Sequence, residues 1–76
     1  METTETNTVE IVVNGEKRRV PTGLTLPGLL AHLEIDLGRV AVELDRQIVR
    51  KAEWETTAIR GGAQLEIVWF VGGGRT

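Results

Sequence analysis

The chain has 76 residues, a formal net charge of -2 and no cysteine. That length supports one core and no second domain, because so short a chain buries only about 60% of the surface its unfolded form exposes. Disulfides, thiolate nucleophiles and cysteine-based metal sites are excluded; a single histidine, His32, rules out a multi-histidine metal centre. Acidic and basic residues are interleaved and no apolar run reaches the roughly 18 residues of a membrane span, so the expectation is a cytoplasmic protein with neither nucleic-acid nor membrane partners.

Residues 1–8 are polar and acidic, with nothing to bury and no signal-peptide core, and are expected to form a flexible leader. From Val9 the chain alternates with period two, placing Val9, Ile11 and Val13 on one face. Asn14 and Gly15 follow, a pair that tolerates positive φ and marks a tight hairpin. Residues 16–20 form the returning strand, ending at Pro21. Lys17, Arg18 and Arg19 are the densest basic cluster, read as the solvated side of that strand rather than a nucleic-acid footprint.

Thr25 is placed to cap a helix, Pro27 fits a first turn, and Leu26, Leu29, Leu30 and Leu33 form a helical stripe. The helix is expected over residues 26–34. A third strand covers residues 40–44, with Val40, Val42 and Leu44 on one side; residues 45–47 turn the chain and residues 48–50 form a short fourth strand. Residues 51–59 read as a loop with one helical turn. Gly61 and Gly62 turn the chain into a last strand, residues 63–71. In that strand Leu65 and Ile67 share one face, and Glu66, Val68 and Phe70 the other. Hairpin, helix, two short strands and a last strand fit an α+β β-grasp. Its mixed sheet of four to five strands packs on one helix, with the first and last strands parallel at the centre. The domain is expected over residues 9–71, with residues 72–76 as a flexible tail.

The residues around Val12 to Glu16, the strand from Val40 to Leu44, Ile48 and Val49, Trp54, and the run from Glu66 to Gly74 together resemble the ThiS family, the ubiquitin-like sulfur carriers of thiamin biosynthesis. The similarity covers nearly the whole chain from Val9 to Gly74. It implies a carrier, not an enzyme. The terminal glycine carboxylate would be adenylated by a partner enzyme using ATP and magnesium, while the carrier itself binds no cofactor. Sulfur from a cysteine desulfurase would convert it to a thiocarboxylate, which thiazole synthase would receive.

Glycine suits such an end for physical reasons. A tail without Cβ atoms is thin and adopts backbone conformations barred to other residues, so it can be threaded into a second protein. Glycine-rich tails can also serve several partners in turn. Ordering one costs about 1–2 kcal/mol per residue, which partner contacts must offset. The family usually ends at the last glycine, whereas here Arg75 and Thr76 follow Gly74. The expectation is a precursor from which a protease removes both residues, making Gly74 the reactive end; Gly73 is the alternative.

Docking residues leading into the tail are expected at Gly72, Val71, Phe70, Val68, Val12 and Ala41, of which Phe70, Val68, Val12 and Ala41 are expected on the sheet face away from the helix. The plainer reading of the apolar members is a normal scatter of surface residues. Trp54 is expected to pack the loop beneath the sheet edge; Trp69 could be core or contact, and His32 is read as solvated. Glu43 and Glu66 are read as solubilising charge that can also steer the domain toward basic partners. Two rival functions share this outline: a carrier for molybdopterin or cysteine synthesis, and a β-grasp interaction or regulatory module that makes no use of the tail.

Overall fold

The computed structural model describes residues 7–70. Residues 1–6 of the expected leader, Val71 and the tail from Gly72 onward lie outside the described residues. The elements in chain order are strand β1 (Thr8–Val13), strand β2 (Glu16–Pro21), helix α1 (Leu26–His32), a 3-10 turn (Leu37–Arg39), strand β3 (Val40–Leu44), strand β4 (Gln47–Ile48), a second 3-10 segment (Lys51–Thr56) and strand β5 (Gln64–Trp69). They form one five-stranded mixed sheet in the order β2-β1-β5-β3-β4. β1 and β5 run parallel at its centre and the other pairs are antiparallel.

The hairpin forms as its turn chemistry requires: Asn14 and Gly15 take φ of 50° and 84°, the two positive values of a type I′ turn. Lys17, Arg18 and Arg19 are exposed on β2, an edge strand, where charge discourages pairing with another chain. Order begins earlier than the sequence suggests. Thr8 belongs to β1, and the Asn7 carbonyl accepts the Thr22 N–H at 2.9 Å.

The leucine stripe of α1 enters the core as expected: Leu26, Leu29 and Leu30 are fully buried, while Leu33 is half-buried against them. The helix ends at His32 rather than at residue 34. The Ile35 N–H bonds the Leu30 carbonyl and the Glu34 N–H bonds the Ala31 carbonyl, with Glu34 at φ 62°. That is a Schellman closure with glutamate in the left-handed position usually given to glycine. Thr25 occupies the N-cap position, but its side chain makes no capping bond; its backbone lies in an isolated antiparallel bridge with Ala58.

The core gathers Ile11, Val13 and Val20 from the hairpin, Val40 and Val42 from β3, and Leu65 and Ile67 from β5 against the α1 leucines. Trp54 closes one side, buried as expected, with its indole Nε1 donating to the Val49 carbonyl at 2.8 Å. No polar or charged residue is buried among the described residues, so burial there incurs no unsatisfied polar cost. Two strands differ from expectation at their ends. β4 is Gln47–Ile48 rather than residues 48–50, because Asp45 and Arg46, at φ 50° and 73°, turn the chain in two residues. β5 is Gln64–Trp69, within the expected residues 63–71, of which Val71 lies outside the described residues; the Phe70 N–H still bonds the Arg39 carbonyl at 2.8 Å.

Candidate functional site: the open sheet face and the end of β5

α1 covers one face of the sheet and leaves the other open. Strand alternation and register decide which side chains stand on the open face. β5 contributes Glu66 and Val68, with Phe70 following in the same sense; β3 contributes Ala41 and Glu43, β1 contributes Val12, and β4 contributes Ile48. Val68, Phe70 and Ile48 are 57%, 56% and 73% exposed, which is high for apolar side chains.

The register places Ala41 opposite Val68 and Glu43 opposite both Glu66 and Ile48. Ala41, Val68 and Ile48 thus line one shallow groove of about 200 Å³ with Val42, Glu43 and Glu66. Four of the expected docking residues, Val12, Ala41, Val68 and Phe70, do lie on this open face, but they do not make one patch. Val12 lines a separate depression of about 270 Å³ with Gly15, Arg46, Gln64 and Leu65, which shares only Glu43 and Glu66 with the groove. Ile48 was missed because its segment reads as the start of a longer strand; only the two-residue length of β4 and its pairing with Glu43 show it facing out. Trp69 alternates onto the opposite face with Leu65 and Ile67 and remains half exposed at the end of the sheet.

The end of β5 is held from an unexpected direction. β1 finishes at Val13, yet the ladder toward β5 continues by one rung through a side chain: Asn14 Oδ1 accepts the Ile67 N–H at 2.7 Å, and Asn14 Nδ2 donates to the Ile67 carbonyl at 3.2 Å. The segment leading out of the domain is thereby fixed just before Val68. Gly72, Gly73 and Gly74, the expected reactive and docking positions beyond it, are outside the described residues, as is Val71. Among the described residues no cluster of three or more potential ligands could hold a metal ion, and no helix is long and apolar enough to cross a membrane. His32 is exposed, as expected.

One helix packed across a five-stranded sheet with parallel central strands defines a ubiquitin-like β-grasp domain. The crystal structure of a thiamine biosynthesis protein (ThiS) from Geobacter metallireducens matches it with a TM-score of 0.76 and 28% identity, over 87% of this chain and 100% of that one. Two proteins named thiazole synthase are also similar. That of Paramagnetospirillum magneticum is 41% identical over 66 residues, covering 87% of this chain and 20% of the relative. That of Magnetococcus marinus is 34% identical over 67 residues, covering 88% and 21%. The chain spans about a fifth of the length of these two curated relatives. The ThiS family model matches residues 6–74, and the chain belongs to the ThiS family.

Proposed function

We propose that this chain is a sulfur carrier of thiamin biosynthesis, which accepts sulfur at a C-terminal glycine and hands it to thiazole synthase. The observation that carries the reading is that the family match extends from the folded domain to Gly74, taking in all three glycines. The geometry supports it: β5, fixed at Ile67 by Asn14, leads directly toward that run, beside an exposed apolar face suited to a partner.

The acyl end is assigned to Gly74, freed by cleavage of the peptide bond that follows it, with Gly73 as the alternative. A carboxylate oxygen attacks the α-phosphate of ATP, whose charge magnesium offsets in the adenylating enzyme; the new acyl phosphate bond forms as pyrophosphate leaves. The terminal sulfur of a persulfide, formed on a desulfurase from cysteine, attacks the acyl carbon and AMP leaves with the bonding pair; a thiol then attacks the inner sulfur of the resulting acyl disulfide, so that the thiocarboxylate leaves with the S–S bonding pair and the thiol is oxidised to a disulfide. The carrier contributes no catalytic group; its part is to present an unbranched, side-chain-free acyl end to enzymes that do the chemistry. Similarity to one portion of two proteins named thiazole synthase supports that enzyme as the recipient. Val68, Phe70 and Ala41, with Val71 and Gly72 beyond them and Val12 to the side, form the proposed docking route.

Deletion of residues 72–76 tests the reading. It leaves the described domain intact and is expected to abolish thiazole formation in a reconstituted system. Full activity after the deletion would point instead to a module that makes no use of the tail.

A further inference from the structure

Glu43 and Glu66 stand directly opposite one another on β3 and β5, both on the open face. Side chains so placed are about 5 Å apart at Cβ, and like charges there destabilise the sheet. Among the described residues the one ion pair joins Arg39 to Asp36 at 3.5 Å, so neither glutamate forms an ion pair there. Arg46 shares the depression on the Val12 side with both glutamates but forms no ion pair with them. On the other side both glutamates border the apolar groove of Ala41, Ile48 and Val68. The face therefore combines two features that folding alone does not favour: opposed carboxylates and uncovered aliphatic side chains beside them.

We propose that this composite surface receives an arginine of thiazole synthase. The guanidinium bridges Glu43 and Glu66, and the aliphatic stem lies in the groove against Ala41, Val68 and Ile48. An arginine fits better than a lysine because its planar fork can donate to two carboxylates at once, while its methylenes cover apolar surface. The inference rests on the proposed recipient and deepens it by naming the chemistry of the contact. It also accounts for a like-charge pair placed directly opposite across two strands, an arrangement that is unfavourable in the free sheet.

The test measures binding of the full chain to thiazole synthase from the same organism by calorimetry, at low and high salt. The variants are Glu43→Gln, Glu66→Gln, the double variant and Val68→Ala, and the thermal midpoint of each free variant is recorded. Each glutamine variant is expected to raise the midpoint, weaken binding about tenfold and flatten its salt dependence. The double variant should lose less than the product of the two single losses, because one arginine serves both carboxylates. Glutamine variants that bind like the parent while Val68→Ala binds weakly overturn the arginine and leave the docking face standing. If Val68→Ala also binds normally, or no complex forms, the docking face falls with it. Glutamine variants that lower the midpoint assign the pair to folding and overturn the proposal as well.

Discussion

The side chain of Asn14 takes both backbone groups of Ile67, accepting at 2.7 Å and donating at 3.2 Å, across 53 residues of sequence. One residue therefore closes the first hairpin through its positive φ and fastens the last strand through its amide. Asn14→Ala removes both bonds and puts a Cβ-bearing residue with no compensating side chain at φ 50°. It is expected to lower stability by about 1–3 kcal/mol, read from urea unfolding. The Ile67 amide should also exchange with deuterium faster than its neighbours on β5. Asn14→Asp keeps the turn and the acceptor but sets a carboxylate against the Ile67 carbonyl, so it should restore only part of the loss.

Leu30 is fully exposed to the core and not to water: it is completely buried on α1 and its carbonyl also closes the helix through Ile35. Leu30→Ala leaves a cavity and is expected to cost about 2–5 kcal/mol. Total stability in a domain this small is on the order of 5 kcal/mol. The variant should therefore keep at most about 3 kcal/mol, and its thermal midpoint by circular dichroism should fall by at least about 10 °C.

Trp54→Phe retains the ring volume in part but leaves the Val49 carbonyl without its indole donor at 2.8 Å. The expected loss is about 1–3 kcal/mol, with little change in the slope of the urea transition because the surface exposed on unfolding is nearly the same.

Phe70 lies past the end of β5 and is more than half exposed. Phe70→Ala should change stability by no more than about 0.5 kcal/mol while weakening affinity for the adenylating enzyme severalfold, measured by titration calorimetry. Unchanged affinity would remove Phe70 from the docking route.

The parts of the fold legible in the sequence are those where local chemistry and tertiary packing agree. Asn14 and Gly15 announce the hairpin, the leucines of α1 its buried stripe, and the alternation around Leu65 and Ile67 the last strand. The parts that were not legible depend on partners distant in sequence. Asp45 and Arg46 adopt positive φ without a glycine, aided by Asp45, whose N–H bonds the Gln64 carbonyl and whose carboxylate accepts the Gln64 N–H. Glu34 likewise ends α1 where glycine would have been the signal. In the candidate site, alternation alone identifies Val68 and Ala41 as outward-facing. It cannot show that Ile48 joins them or that Glu43 meets Glu66, since both follow from pairing register.

The central claim is tested most directly by intact-mass spectrometry of chains ending at Gly74 and at Gly73, each incubated with the adenylating enzyme, ATP, magnesium and sulfide. The chain ending at Gly74 should first gain an adenylyl group and then settle at a mass in which one oxygen has become sulfur. Two trimmed chains that both keep their starting mass, beside an enzyme shown to be active, would contradict the assignment of this protein as a sulfur carrier.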